Sequence, residues 1–476
     1  MEEKKYINLI LSTNIAEYSN IKGLIILKPY GYKIWDNIKN KLNKILIKKD
    51  YNNVYFPLLI NKSLLKIEYK YFKKIPKQCA IITHSKFKIN KYNNLIIDKF
   101  SKLNEELIIR PTSEIIIWNT FKKWIESYKD LPILINQWCN IIRLEMKNKF
   151  FLRNSEFLWV EGHTVHINKN KALKEINKIK KMFKFFLKKY LSIPFISGYK
   201  SKKETFETAK FTYTFETLTK DKGKSIQLAT IHFLYNNYSK ALNVKFTNRI
   251  GKKKYCYGTS WGLSTRLIGT IIMIHNDKNG LILPPKIAPI QIIIIPLIKK
   301  KNIYKIIKIL KKKLINNNIK FKLDNNFNIR PGKKFYKYDN MGIPIKIIIG
   351  KYELKNKKIL LIRRDTFKKY YFKINNNLNK KILNLFKKIQ DNIYKIAKKN
   401  MKKKIFFIKS YKIFKEIINK KNGFIITNWK NNIKNEFNIQ KKTKATIRCI
   451  LKKKKIGKCL YSKKLTKNLV IFGKSY

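Results

Sequence analysis

The chain has 476 residues, enough for two or three domains with cores of their own. A hydrophobic content of 44% excludes a disordered polycation, even at a net charge of +80. Five cysteines without CxxC spacing exclude a disulfide framework and fit a reducing compartment.

The first residues carry Glu2 and Glu3 and too short an apolar run for a signal peptide or anchor, so a cytoplasmic location is expected. Apolar residues at helical spacing (Ile34, Trp35, Ile38, Leu42, Ile45, Leu46) predict a helix over 31–49. Strand-like runs follow at 53–60, 102–111 and 131–144, with a helix over 113–128 capped by Thr112 or Ser113. A strand at 157–167, a basic amphipathic helix at 171–190, a strand at 205–215 and a helix at 261–275 come next.

Three prolines in Leu283-Pro-Pro-Lys-Ile-Ala-Pro289 make a stiff linker. Beyond it the pattern alternates: strand 291–296, helix 303–316, strand 321–323, helix 331–339, then strands 345–350 and 359–363. Such alternation predicts a small α/β domain with a mixed sheet. After about residue 375 a lysine-rich helix leads into a last segment, 405–476, read as short strands. The longest apolar runs, such as 289–298, are too short to span a bilayer, so no membrane partner is expected.

Lys, Asn, Ile, Phe and Tyr crowd the chain, as AT-rich codons would produce. The lysine excess therefore permits a polyanionic partner without establishing one. Arginine is more telling, because only nine of the 108 Lys+Arg residues are arginine. Its planar fork grips phosphate or carboxylate at two points, which lysine cannot do.

Four arginines fall in three polar stretches set among apolar residues. These are Arg110-Pro-Thr-Ser-Glu114; Arg143-Leu-Glu145 with Arg153 and Phe157 through His163; and Gly258-Thr-Ser-Trp-Gly-Leu-Ser-Thr-Arg266. Arg143 and Glu145 alternate on a strand, so both share a face with Gln137 and Cys139. Arg153 is expected to pair with Phe157, and Gly258 and Gly262 to allow close backbone approach. Guanidinium groups aimed at transferring oxygens suit phosphate chemistry. No P-loop or Rossmann glycine pattern is present.

These stretches, in this order, closely resemble the prolyl-tRNA synthetases, a family of class II aminoacyl-tRNA synthetases, in their archaeal/eukaryotic-like form. Leu27-Lys-Pro-Tyr-Gly-Tyr-Lys-Ile-Trp35 through Pro57 is similar to motif 1, which builds the dimer interface. Arg143-Leu-Glu145 with Arg153-x-x-x-Phe157 is similar to motif 2, and Gly258–Arg266, continuing to Pro285, to motif 3 and the domain exit. The resemblance implies an α/β (α+β) protein: a class II antiparallel-sheet catalytic domain at 1–284, a mixed α/β anticodon-binding domain at 290–390 and a small C-terminal domain at 400–476.

It also implies roles. Thr112 and Glu114 would hold the imino group of proline, with Trp159, Glu161, His163, His232 and Ser260 shaping that pocket. Arg143 would bind the proline carboxylate and then the ATP α-phosphate. Glu145, Arg153, Asn154, Phe157, Gln227, Thr230, Ser264 and Arg266 would contact ATP. Arg330, Lys333 and Lys334 are the candidates for anticodon contact; Arg363 and Arg364 are left open between RNA and structure. The implied substrates are L-proline, ATP with Mg²⁺, and tRNA(Pro), and the implied assembly is a homodimer.

Two departures stand out. Leu228 and Ala229 lie where the family's nucleotide loop is usually glycine-rich. Of the usual four C-terminal cysteines only Cys459 remains, with Ser462 in place of its partner, so no zinc is expected. Intact Arg143 and Arg266 argue against a catalytically dead RNA-binding relative.

Overall fold

Small polar and apolar residues alternate along the central strands, and that period of two builds the sheet on which the site rests. In this computed structural model residues 2–72 and 78–476 are described. The N-terminal half contains helices α1 (Glu2–Ser12), α2 (Pro29–Ile47), α3 (Glu114–Trp124), α4 (Lys169–Lys189) and α5 (Arg266–Ile274). Its strands are β1 (Asn52–Asn53), β2 (Lys102–Ile109), β3 (Ile133–Ile142), β4 (Glu156–His166), β5 (Ile196–Tyr199), β6 (Phe211–Leu218), β7 (Ser225–Tyr235) and β8 (Tyr257–Ser264).

Strands β3 to β8 lie in the order β5-β6-β7-β8-β4-β3, all neighbours antiparallel, with β1 added parallel to β3. Val160, Leu263, Trp261, Ile231, Phe233 and Phe215 point to one face and join the main apolar core. Helix α4 covers that face with a stripe of Ile176, Ile179, Phe183 and Phe186, leaving most of its lysines outside. Each such side chain contributes roughly 1.5–3 kcal/mol by leaving water. Asn168 starts α4, its side chain accepting from the Lys171 N–H at 2.9 Å.

The opposite face carries the polar members of the alternation. Across the ladder Glu161 faces Gln137, His163 faces Ser260, His232 faces Ser260 and Thr212 faces His232.

Beyond the proline linker, a mixed five-stranded sheet has the order β10-β9-β11-β12-β13. Its strands are β9 (Ile292–Pro296), β10 (Phe321–Leu323), β11 (Ile345–Ile349), β12 (Lys358–Arg363) and β13 (Lys369–Lys373). Helices α6 (Lys301–Asn316), α7 (Pro331–Asn340) and α8 (Leu378–Lys402) accompany it. The α/β alternation expected here is present, and the protein is of mixed α/β class with an antiparallel catalytic sheet.

The last segment differs from the short strands expected. Its strands β14 (Ile405–Phe407) and β15 (Phe424–Asn428) are short, but β16 (Ala445–Lys458) and β17 (Leu465–Lys474) run for 14 and 10 residues. Lysines 452–455 all lie exposed on β16, which hides its alternation from a sequence reading. Strand β16 pairs with β5, so one 11-stranded sheet runs through both units. Among the described residues no helix is long and apolar enough to cross a membrane.

Three further expectations are corrected. The stretch 261–275 is not one helix: β8 continues to Ser264 and α5 begins at Arg266, because Trp261 and Leu263 are buried while Ser260, Gly262 and Ser264 line the other face. The strand expected at 205–215 begins only at Phe211, since Thr212 Oγ1 accepts the Phe206 N–H at 2.9 Å and folds 201–209 back as turns. Strand β3 stops at Ile142, so Arg143 and Glu145 lie in the loop beyond it and not on the strand.

Candidate active site

The polar sheet face, the N-terminal end of α3 and the loop after β3 enclose a cavity of about 280 Å³. Arg110 sets the α3 end in place. It is fully buried, and its Nη1 donates to the carbonyls of Phe56 (2.5 Å) and Pro57 (2.9 Å). The turn that follows delivers Thr112 and Glu114 into the cavity.

One end of the cavity is built from carboxylates. Glu114 accepts from Thr112 at one oxygen and from Ser260 Oγ at the other (3.1 Å). Glu161 Oε1 accepts from Ser113 Oγ and Gln137 Nε2, each at 2.5 Å, and its Oε2 lies 3.2 Å from His163 Nε2. Burial alone would raise the Glu161 carboxyl, but His163 and these donors outweigh it and hold it below the usual value. Burial likewise opposes a charged His163, and Glu161 overcomes it, raising the imidazole above its ordinary value. Both shifts favour the imidazolium–carboxylate form of the pair.

His232 behaves in the opposite way. Burial first, then the charges of His163 and Arg143, push it from 6.5 to about 3, so it is neutral. Thr212 Oγ1 accepts from Phe206 N–H and lies 2.9 Å from His232 Nδ1, a bond that fixes the orientation of the ring.

Four residues along β8, roughly 13 Å from Ser260, Ser264 faces Trp159 and opens the arginine end. The Arg143 guanidinium lies 5.8 Å from the ring centres of both Phe157 and Trp159, and its Nε donates to the Pro111 carbonyl (2.9 Å). Arg266, first residue of α5, donates Nε to the Leu152 carbonyl (3.0 Å). Burial, reinforced by Arg143, lowers Arg266 to about 10, and it stays charged. Among the described residues the terminal nitrogens of Arg143 and Arg266 have no carboxylate or hydrogen-bond partner, although both line the cavity. Gln227 and Thr230 complete this end.

Thirteen of the residues named from sequence thus meet in one cavity: the eight expected around proline, with Phe157, Gln227, Thr230, Ser264 and Arg266. Three do not line it. Arg153 pairs loosely with Glu145 at 3.9 Å and lines an adjoining recess of about 190 Å³ that shares Gln227 and Arg266. The cation over Phe157 is therefore Arg143 and not Arg153. Asn154 is buried and faces a separate cavity with Tyr18 and Phe150. Gly258 gives room to the Trp118 ring, which a Cβ there would strike, and not to a ligand. Leu228 and Ala229 belong to the apolar core and also line the cavity between Gln227 and Thr230.

Sequence reasoning missed Lys200, Glu204, Phe206 and Thr212, which close the cavity from β5, β6 and the turns between them. The polar alternation Thr212, Thr214, Glu216 was the available signal.

In the five-stranded unit Arg330 and Lys333 are exposed at the start of α7. Lys334 is 3% exposed and bound to Asp324 at 3.0 Å, so it is corrected from an RNA contact to a core ion pair. Arg363 grips Asp365, and Arg364 forks onto Asp277 at 2.7 and 2.6 Å, tying this unit to the catalytic one. Both are structural. Cys459 is buried, and one thiol beside Ser462 does not fit tetrahedral zinc. Among the described residues no three His, Cys, Asp or Glu side chains gather as a metal cluster.

Comparison with known proteins agrees with this geometry. The family of the tRNA synthetase class II core domain (G, H, P, S and T) matches residues 96–275. The anticodon binding domain matches 291–385, and the prolyl-tRNA synthetase C-terminal family matches 411–476. A proline–tRNA ligase of Azobacteroides pseudotrichonymphae is 45% identical over 94% of this chain and 91% of its own length. One from Bacteroides fragilis is 42% identical over 99% and 96%. The crystal structure of prolyl-tRNA synthetase from Cryptosporidium parvum, complexed with L-proline and AMP, superposes with a TM-score of 0.91 at 32% identity, covering 100% of this chain and 95% of that one. With such identity over nearly its whole length, the chain belongs to the prolyl-tRNA synthetases, the ligases that join proline to tRNA.

Proposed function

We propose that the carboxylate end of the cavity holds L-proline and the arginine end holds ATP, supplied as its Mg²⁺ salt. Thr112 and Glu114 receive the imino group, while Trp159, Glu161, His163, His232 and Ser260 shape the pocket around the ring. Arg143, between the two ends, binds the proline carboxylate and stays with the α-phosphate as that carboxylate attacks. Phe157 stacks on adenine, and Gln227, Thr230, Ser264 and Arg266 hold the nucleotide.

The proline carboxylate oxygen attacks the α-phosphorus, and the bond to pyrophosphate breaks in line. The terminal ribose hydroxyl of tRNA(Pro) then attacks the carbonyl carbon of the prolyl-adenylate and expels AMP. No side chain forms a covalent bond; placement and charge lower the barrier. The observation that carries this reading is the pair of guanidinium groups, Arg143 and Arg266, whose terminal nitrogens find no partner among the described residues and line the same cavity as the interlocked carboxylates. The Cryptosporidium protein was solved with L-proline and AMP, the two kinds of ligand assigned here.

The test is proline-dependent exchange of pyrophosphate into ATP. Exchange with proline is expected; its absence, with active tRNA-independent controls, contradicts the reading.

The enzyme is further proposed to act in the cytoplasm, with 1–284, 290–390 and 400–476 as its catalytic, anticodon and C-terminal domains. Arg330 and Lys333, with exposed Tyr336 beside them, are placed for unstacked anticodon bases. Two copies pair through the motif 1 region, where Tyr32, Ile47 and Tyr55 stand exposed; light scattering should give twice the chain mass. The archaeal/eukaryotic-like form is favoured because helix α4 and strands β5 to β7 fill the interval between His163 and Gly258, with no inserted domain.

A further inference from the structure

Arg448 has no part in the chemistry above, yet it is 7% exposed and makes four hydrogen bonds. It lies on β16, in the C-terminal unit. Its Nε and Nη2 donate to Glu216 Oε2 at 3.1 and 2.9 Å, and its Nη1 to Ser475 Oγ at 2.9 Å and Thr446 Oγ1 at 3.3 Å. Glu216, on β6 of the catalytic unit, is wholly buried. Its other oxygen accepts from Lys200 Nζ at 2.9 Å and Thr214 Oγ1 at 2.8 Å, and Oε2 also accepts from Ser225 Oγ at 3.1 Å. Two cations from two units thus share one carboxylate, one oxygen each.

The clamp touches the site at two places. Lys200 lines the substrate cavity, and Arg448 lines the recess beside it. Ser225 starts β7 two residues before Gln227, which lines both spaces. Here Glu216 faces Gln227 directly after a break in the β6–β7 register. A bulge interrupts the ladder bonds that would hold the strand edge, and Glu216 supplies a side-chain hold at that point. Arg448 in turn fixes Glu216, whose buried charge demands full pairing.

We propose that Arg448 is a positioning residue for the nucleotide half of the reaction: through Glu216 and Ser225 it fixes the start of β7, and with it Gln227, at the cavity wall. The C-terminal unit is thereby a working part of the ATP site. This rests on the assignment of the arginine end to ATP.

The test is steady-state pyrophosphate exchange with the full-length wild type, Arg448→Gln, Arg448→Lys and Ser225→Ala. Arg448→Gln should raise the KM for ATP about tenfold and leave the KM for proline within about twofold. Arg448→Lys should recover part of the loss, since charge is kept and the fork is not. Ser225→Ala, which cuts only the link to β7 and spares the fold, should shift the KM for ATP the same way by about threefold. Unchanged KM for ATP in Ser225→Ala, or equal shifts for both substrates in the Arg448 variants, overturns the proposal. Failure of the wild type to exchange with proline overturns the underlying reading instead.

Discussion

The two ends of the cavity line one wall of the same sheet but handle their polar groups in opposite ways. At the carboxylate end every oxygen of Glu114 and Glu161 meets a donor within the chain, from Thr112, Ser260, Ser113, Gln137 or His163. At the arginine end Arg143 and Arg266 use only Nε internally, and among the described residues their outer nitrogens are left for a ligand. A pocket whose polar groups are already bonded is rigid and selects by shape. A site with free forks waits for charge that develops during reaction, and it stabilises that charge without rearrangement.

The sharpest break comes from the free forks. Arg266→Ala and Arg143→Ala should each lower kcat for pyrophosphate exchange about 10²- to 10³-fold. Lysine at either place should restore little, because a point charge cannot reproduce the two-point grip. Full activity of either lysine variant contradicts the role given to the forks.

Arg364 is the contrast, an arginine whose fork is already spent on Asp277. Arg364→Ala should cost about 3 kcal/mol of stability in denaturant titration and leave exchange by the surviving folded protein near wild type. A large loss of kcat without loss of stability breaks the distinction between free and spent forks.

At the other end, Glu161→Gln should raise the KM for proline roughly 10- to 100-fold, as lost hydrogen bonds to a charged group do.

The smallest expected effect concerns pH. His232 is held at about 3, and burial holds His166 and His275 at about 4, all from 6.5. Each is neutral when folded, whereas the unfolded chain protonates below 6.5, so unfolding takes up protons as pH falls. The stability they give is complete above 6.5 and is lost progressively towards about 4 for His166 and His275 and about 3 for His232. His163 works in the other sense, its raised value favouring the fold below its ordinary value and losing that as pH rises through the folded one. A urea midpoint lower at about pH 5 than at pH 7 is expected; no difference contradicts the neutral histidines.

Much of this was legible in local pattern. The helix at α2, the α/β alternation after the proline linker, and the cavity residues from Thr112 to Arg266 follow from periodicity and from motif wording. What was not legible depends on partners far along the chain. Trp261 and Leu263 suit a helix face as well as a strand face, and only pairing with β4 and β7 decides between them. Lys200 enters the cavity because Glu216 holds it. Lys334 reads as a surface cation until Asp324 is folded over it. Arg448 and its partner Glu216 are 232 residues apart, a distance no local pattern spans.

The most direct test of the two-ended site compares Glu161→Gln with Arg266→Lys in the same exchange assay, varying proline and ATP separately. The account predicts a crossed result: Glu161→Gln raises the KM for proline alone, and Arg266→Lys impairs kcat and the KM for ATP while sparing proline. If both variants disturb both substrates equally, the cavity is one undivided site and the account is wrong.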